Sequence, residues 1–309
     1  HMSGISLQTK VGGVALQNPI IAASGTFGYG LEFEPYLDLD RMGGLVTKGI
    51  SLKPRAGNPP QRIWETASGM LNAIGLANVG LETFIKDKLP ALARLGCAVI
   101  VNLYGEAESE FAELARALER QEGIAALELN VSCPNVKSGG MAFGVNPRAV
   151  AGVTRAVKAE TSLPVWVKLT PNVTSPVAIA QAAAGAGADA LCLINTLLGM
   201  AIDARSKRPR LANVVGGLSG PAIKPVGLRM VWQVAQALPD IPVVGIGGIA
   251  SGEDAAEYMI AGASAVQVGT GNFMDPAACQ RIADELTKFC QENNVSEVSQ
   301  LIGSLQTGA

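Results

Sequence analysis

Short runs of apolar residues recur along this chain, and stretches with helical periodicity separate them. Continuous apolar runs bounded by Gly, Pro or polar residues are typical of strands buried on both faces of a parallel sheet. Eight strands alternating with helices predict an α/β fold, a (β/α)8 TIM barrel. The runs are residues 20–23, 45–47, 99–101, 127–129, 165–167, 190–194, 243–246 and 265–268.

Helices are predicted between these runs, and a β-hairpin is predicted before the first one. Residues 9–16 carry Gly12-Gly13 at their centre, which favours a tight turn between two short strands. Three connections that follow predicted strands, residues 49–81, 132–146 and 196–224, are too long for simple loops and are expected to carry function. We take His1-Met2 as an expression scar and predict one domain over residues 3–309 with insertions at one rim. The predicted helices are 108–122, 147–161, 176–185, 228–238, 252–261 and 276–292.

Composition excludes several classes of protein and site. The 309 residues are 48% hydrophobic and carry a net charge of −2, so neither nucleic acid nor an anionic membrane is an expected partner. Without a secretory signal or an apolar stretch of spanning length, the expected location is cytoplasmic. The only histidine is His1, which excludes His-based catalysis and metal sites, and the five cysteines form no CxxC pair. No metal site is therefore predicted in this chain.

Polar side chains or glycines follow every predicted strand. In a parallel barrel these positions converge on one rim, where active sites are built. Asparagine matches the alternating donors and acceptors of a flat heterocycle, lysine attracts an anion, and glycines let backbone N–H groups approach a phosphate. The set predicts a phosphorylated heterocyclic cofactor and a small anionic substrate. Its members are Ser24, Lys48, Asn102, Asn130, Lys168, Asn195, Thr196, Gly247, Gly248, Gly269 and Thr270.

Two further features bear on the chemistry. Gly245-Ile-Gly247-Gly-Ile-Ala250 fits the dinucleotide pattern G-x-G-x-x-A, but Gln267 stands where a strand-end acid is expected. Cys133 follows the fourth strand at the start of a Gly-rich loop, where a thiolate can act as a proton acceptor in a chain without histidine. Cys97, Cys192, Cys279 and Cys290 are instead interpreted as small buried residues.

The motifs closely resemble those of the class 1 dihydroorotate dehydrogenases over residues 7–291. The segments that carry the resemblance are Asn18-Pro-Ile-Ile-Ala-Ala-Ser24-Gly25, Thr47-Lys48-Gly49, Gly57-Asn-Pro-Pro, Met70-Leu-Asn72-Ala-Ile-Gly-Leu76, Glu128-Leu-Asn130-Val-Ser-Cys133-Pro-Asn135, Val167-Lys168-Leu-Thr-Pro171, Ile194-Asn195-Thr196, Gly216-Gly-Leu-Ser-Gly220-Pro221, Val244-Gly-Ile-Gly247-Gly248 and Val268-Gly269-Thr270.

This resemblance implies oxidation of dihydroorotate to orotate in pyrimidine biosynthesis, with FMN as the hydride acceptor. It implies that Cys133 removes the C5 proton and that Lys168 stabilises negative charge on the reduced flavin. The implied orotate site is Lys48, Asn72, Ala73, Ile74, Gly75, Leu76, Asn130, Asn195 and Thr196. The implied FMN site is Ser24, Lys48, Gly49, Asn102, Asn130, Lys168, Ile194, Gly220, Gly247, Gly248, Gly269 and Thr270.

Within the family, the segments 70–76 and 196–200 resemble class 1B, the NAD-dependent form. Class 1B implies a partner subunit carrying FAD and a 2Fe–2S cluster, in a heterotetramer of two catalytic and two electron-transfer subunits. The alternatives are the fumarate-reducing class 1A enzyme, a non-redox phosphate-binding barrel isomerase, and a flavin-binding subunit without catalysis. Tyr104 departs from the family pattern, in which a smaller residue is usual.

Overall fold

Eight parallel strands form a closed barrel at the centre of the chain. A computed structural model describes residues 4–132 and 143–308. The strands follow one another around the barrel in chain order, and the eighth pairs with the first. They are Ile20–Ala22 (β1), Gly44–Val46 (β2), Ala98–Leu103 (β3), Ala126–Asn130 (β4), Val165–Leu169 (β5), Ala190–Leu193 (β6), Val243–Ile246 (β7) and Ala263–Val268 (β8). The predicted TIM barrel is confirmed.

Helices cover the outside of the barrel and bury their apolar faces against its strands. Several begin where the sequence supplies a cap. Asn146 and Ser175 each accept a backbone N–H bond and are followed by a first-turn proline. The helices are Leu81–Thr83, Phe84–Lys88 and Leu89–Leu92 (contiguous, the middle segment a π-helix), Glu108–Glu119, Pro147–Lys158, Pro176–Gly185, Lys224–Ala237, Gly252–Ile260, Gly271–Met274 and Ala278–Glu292. Short 3-10 turns occupy Leu31–Phe33, Leu39–Arg41, Phe143–Val145, Pro221–Ile223 and Val298–Leu301.

Two helix starts differ from the sequence prediction. The helix predicted from residue 228 begins at Lys224, because the short turn Pro221–Ile223 runs directly into it. The last long helix begins at Ala278, so Pro276 precedes the helix and does not occupy its first turn. Backbone N–H bonds to Asp275 make a separate turn there.

The predicted hairpin closes the amino-terminal end of the barrel. Its strands, Thr9–Val11 and Val14–Leu16, place three apolar side chains against the barrel interior. Gly12 lies so close to Asp189, the residue before β6, that an added Cβ would stand 2.7 Å from its carbonyl oxygen. A close approach of two backbones, with φ of +48°, explains glycine at this position.

Two of the long connections meet above the other end of the barrel. Their strands form a four-stranded antiparallel sheet in the order Leu197–Met200, Val215–Ser219, Gly69–Asn72, Ile63–Thr66. We call it the rim sheet. A small ribbon, Ile202–Asp203 with Arg208–Pro209, extends from the same insertion. Within the part of the chain that the structure describes, every helix is too short or too polar to span a lipid bilayer.

Candidate active site

A cavity of about 500 Å³ opens at the carboxyl-terminal end of the barrel strands, beneath the rim sheet. Every predicted site residue among those that the structure describes lines this cavity. They are Ser24, Lys48, Gly49, Asn72, Ala73, Ile74, Gly75, Leu76, Asn102, Asn130, Lys168, Ile194, Asn195, Thr196, Gly220, Gly247, Gly248, Gly269 and Thr270. Cys133 lies outside the described residues. The structure thus brings the described positions together, while their binding roles stay predictions.

One wall of the cavity is a cluster of amide and hydroxyl groups. Asn195 Nδ2 donates to Ser132 Oγ at 2.5 Å and lies 3.5 Å from Asn130 Oδ1. Ser132 Oγ in turn donates to Asn130 Oδ1 at 2.9 Å. The Thr196 backbone N–H donates to Asn195 Oδ1 at 2.8 Å, which orients that amide. These groups offer alternating donors and acceptors to a flat polar ligand.

The rim sheet supplies a further part of the cavity lining. Asn72 ends one of its strands, and its Nδ2 donates to the Gly217 carbonyl at 3.3 Å. A Cβ added at Gly217 would stand only 2.1 Å from Thr196 Oγ1, so a larger residue there would push the sheet away from the barrel. Residues 73–76 then follow Asn72 along the cavity. The location of the Asn72 side chain therefore depends on pairing between two insertions that are distant in sequence.

Lys48 enters the cavity directly after β2 and is partly buried. Burial is the largest cause that lowers the pKa of its ammonium, and the nearby cation of Arg62 lowers the pKa further. Glu32 acts in the opposite direction but does not cancel them. Two cations close together in a partly desolvated place attract an anion. This is the behaviour expected of a carboxylate-binding site.

Glycines line the part of the cavity that follows β7 and β8. Gly247 and Gly248 follow β7 with φ of +124° and +71°, conformations that residues with a side chain adopt rarely. A Cβ added at Gly248 would stand 2.7 Å from Lys224 Cβ. Gly220 and Gly269 line the same part. A backbone cradle without side chains suits a phosphate group.

The dinucleotide-like pattern has a packing explanation in this fold. Gly245 lies within β7, and a Cβ there would stand 2.4 Å from Tyr258 Cδ1. The buried Tyr258 ring therefore requires glycine at this position. Its hydroxyl donates to the Gly247 carbonyl at 2.7 Å. The pattern accordingly belongs to a barrel strand and its packing, and does not begin a separate nucleotide-binding unit.

Below the cavity floor, four polar side chains meet inside the barrel, and we call them the polar layer: Asn102, Glu128, Lys168 and Gln267. Glu128 is fully buried and accepts from Asn102 Nδ2 at 2.8 Å and from Gln267 Nε2 at 2.6 Å. Lys168 Nζ lies 3.8 Å from the same carboxylate. Asn102 and Lys168 also line the cavity. The layer joins the barrel core to the site.

Sequence reasoning assigned no role in or beneath the site to Glu128, Gln267 or Ser132. A signal was present, because the run Ala-Leu-Glu-Leu-Asn at 126–130 places one charged residue inside an apolar strand. Charged side chains are almost never fully buried without partners. Ser219 was also missed, and its Oγ accepts from Thr270 Oγ1 at 2.6 Å at the junction of the rim sheet and the barrel. The other four cysteines are buried, as predicted.

Comparison with known proteins agrees with this site. The family model for dihydroorotate dehydrogenase matches residues 6–290. A protein of Geotalea daltonii named "Dihydroorotate dehydrogenase B (NAD(+)), catalytic subunit" is 56% identical over 305 residues, which is 99% of this chain and all of the relative. A protein of the same name from Geobacter metallireducens is 57% identical over 300 residues, 97% of this chain and 98% of the relative. This chain therefore belongs to the dihydroorotate dehydrogenase family.

Proposed function

We propose that this chain is the catalytic subunit of an NAD-dependent dihydroorotate dehydrogenase, which oxidises (S)-dihydroorotate to orotate in pyrimidine biosynthesis with FMN bound in the cavity. The observation that carries the proposal is convergence. Residues at or just after the carboxyl ends of all eight barrel strands and of two rim strands line a single cavity, and they are the positions that the family resemblance indicated. The names of the relatives support the same activity and its NAD-dependent form.

The chemistry of the cavity fits FMN. Asn102 Oδ1 is buried without a hydrogen-bond partner among the described residues, so a ligand N–H bonded to it would remove an energetic penalty. Its neighbour Gly49 leaves room, since an added Cβ would stand 2.8 Å from that oxygen. The glycine cradle formed by Gly220, Gly247, Gly248 and Gly269 suits the phosphate, and Lys168 supplies a cation. The assigned set also includes Ser24, Lys48, Asn130, Ile194 and Thr270.

When bound, FMN supplies the hydride acceptor that protein side chains lack. The chain's own groups do the rest. Lys48 binds the substrate carboxylate, and the amides of Asn72, Asn130 and Asn195 orient the ring, together with Thr196 and residues 73–76. Lys168 would hold its fixed positive charge beside the flavin, which becomes more negative when it is reduced. The site is therefore preorganised for reduced FMN.

Cys133 is proposed as the base that takes the C5 proton. The support is position in the sequence, because the preceding residue, Ser132, lines the cavity and is hydrogen-bonded to Asn195. No histidine other than His1 competes for this role.

The test is a visible spectrum of the purified protein before and after anaerobic dihydroorotate. We expect a flavin spectrum that bleaches with substrate. The variant Cys133→Ala tests the assignment of the base. It should keep bound FMN and orotate but lose most of the flavin reduction by dihydroorotate, because only proton removal is deleted. Bleaching at the wild-type rate in this variant would exclude Cys133 as the base. A colourless protein would contradict the flavin proposal and favour the barrel isomerase.

A partner subunit with FAD and a 2Fe–2S cluster completes the proposal. The relatives are named catalytic subunits, which supports a second subunit. Apolar side chains around the cavity mouth also support it, since Leu198 and Phe273 line the cavity and yet are 52% and 53% exposed. Apolar groups exposed next to a site are typical of surfaces that bind another protein. The proposed assembly has two catalytic and two electron-transfer subunits.

A further inference from the structure

Glu128 stands apart from the residues assigned to FMN or orotate. It lies in the middle of β4, is completely buried, and does not line the cavity. Its three polar neighbours in the polar layer come from three other strands: Asn102 from β3, Lys168 from β5 and Gln267 from β8. A carboxylate that joins four strands under an active site requires a reason, because charged groups are costly to bury.

The partners around this carboxylate form an ordered set. Lys168 is 7% exposed, so its ammonium is held between Glu128 below and the cavity above. Asn102 Nδ2 and Gln267 Nε2 both donate to the carboxylate, on different oxygens. Of the same two amides, the oxygens Asn102 Oδ1 and Gln267 Oε1 have no partner among the described residues. Glu128 therefore sets which end of each amide points away from it.

Only a carboxylate can make this set of bonds. Both oxygens of Glu128 accept, whereas a glutamine in its place would present one acceptor and one donor. Its donor would face either the Asn102 or the Gln267 amide, and one of these would have to turn over or lose its bond. For Asn102, turning over would exchange the acceptor beside Gly49 for a donor.

We propose that Glu128 is a positioning residue for the flavin: it holds Lys168 in place, keeps Asn102 with its acceptor available to the cofactor, and lowers the reduction potential of bound FMN with its negative charge. The inference rests on the proposed FMN site. Since Glu128 partly balances Lys168, the cavity floor carries a smaller net positive charge than the lysine alone would give. Removing the carboxylate charge leaves the lysine uncompensated and favours the reduced, more negative flavin.

The experiment compares Glu128→Gln with wild type by two measurements that do not depend on turnover. FMN affinity is measured by fluorescence titration of the apoprotein, and the flavin potential by anaerobic titration against a reference dye. We expect FMN binding to weaken about tenfold, the cost of one hydrogen bond to a charged group or its equivalent. At a fixed ambient potential, we expect the ratio of reduced to oxidised flavin to rise about tenfold, or about 30 mV for a two-electron couple.

Two further variants make the result interpretable. Glu160→Gln is the control, because it removes a carboxylate that pairs with Arg116 outside the barrel, and it should change neither measurement. Glu128→Asp keeps the charge but withdraws it from the amides, so FMN affinity should fall while the potential stays closer to wild type. This variant also decides the question if Glu128→Gln does not fold: unchanged FMN affinity in Glu128→Asp would then overturn the proposal.

The outcomes separate the inference from the function on which it rests. Wild-type protein that binds no FMN would overturn both. A yellow wild-type protein with unchanged affinity and potential in Glu128→Gln would overturn only the inference and leave Glu128 as a structural residue. A lowered potential in Glu128→Gln would likewise contradict it, because the sign of the charge effect would be wrong.

Discussion

Two lysines reach the cavity, and their surroundings suit them to the two different roles proposed for them. Lys168 is nearly buried and lies 3.8 Å from a fully buried carboxylate, whereas Lys48 is partly exposed with Arg62 as its electrostatic neighbour. A cation paired from below is held rigidly toward the cavity, where FMN is proposed to bind. A cation beside a second cation is suited to an incoming anion.

Exchanging each lysine for alanine should separate these tasks. Lys48→Ala should weaken orotate binding by about tenfold to a hundredfold, the range for a hydrogen bond to a charged group. Lys168→Ala should lower the flavin potential and also the melting temperature, because it leaves Glu128 buried without its cation, a change that costs about 3–5 kcal/mol. The measurements are orotate titration, flavin potential and thermal unfolding. Equal and normal potentials in both variants would contradict the assignment.

The pH dependence of orotate binding provides a further check on Lys48. Burial and Arg62 lower the pKa of its ammonium below the ordinary lysine value. The charge is fully present below that pKa and is lost as pH rises through it. Orotate affinity in the wild-type protein should therefore decline at a lower pH than an ordinary lysine would give, and Lys48→Ala should show no such decline.

At the level of elements, the helix Gly252–Ile260 supports the glycine cradle. Ser251 and Asp254 form a capping box at its start, and Asp254 also binds Lys224 Nζ at 2.6 Å, which ties it to the start of the neighbouring helix. From its last turn, Tyr258 donates to the Gly247 carbonyl. Burial is the main cause that raises the pKa of the Tyr258 hydroxyl, so it stays a donor at physiological pH. The helix and the cradle are thus one unit.

Tyr258→Phe should loosen the cradle with little change in packing. Losing one hydrogen bond is worth about 1 kcal/mol, so FMN affinity should fall by about fivefold to tenfold. Riboflavin, which has no phosphate, should bind the variant and the wild type equally well. The matched control is Tyr29→Phe, since Tyr29 is also buried but its hydroxyl accepts from the Val79 N–H and makes no bond to the glycine cradle. An equal loss for FMN and riboflavin would mean that the hydroxyl does not act through the phosphate.

For the whole molecule, the question is where the electrons leave. Packing of a barrel strand against Tyr258 explains the G-x-G-x-x-A pattern, so the pattern does not indicate a dinucleotide-binding unit. We expect this chain alone to reduce artificial dyes with dihydroorotate but to form NADH negligibly. Adding the FAD and iron–sulfur subunit should restore NADH formation, followed by absorbance at the NADH band. Robust NADH formation without the partner would contradict the two-subunit proposal, and rapid turnover with fumarate would favour class 1A.

The sequence alone predicted the barrel strands and most helices because their signals are local. A strand buried on both faces needs a continuous apolar run, and proline or a cap marks a helix start. The strand-end positions were equally readable, because the ends of parallel strands lie on one rim whatever the details of packing. The location of Lys168 and Asn130 at this rim, for example, could be predicted from their positions at the ends of apolar runs. The family motifs then supplied roles for positions in the insertions, such as Asn72.

The tertiary structure decided which residues distant in sequence contact one another. The rim sheet pairs strands from two insertions, so the contact of Asn72 with Gly217 spans 145 positions. The bond from Gln267 to Glu128 spans 139 positions and forms only when β8 and β4 face each other across the closed barrel. Gly245 reads as a nucleotide motif along the chain but is explained by a tyrosine from the next helix. Local patterns specify elements, whereas the bonds that position a charge inside the barrel exist only after the barrel has closed.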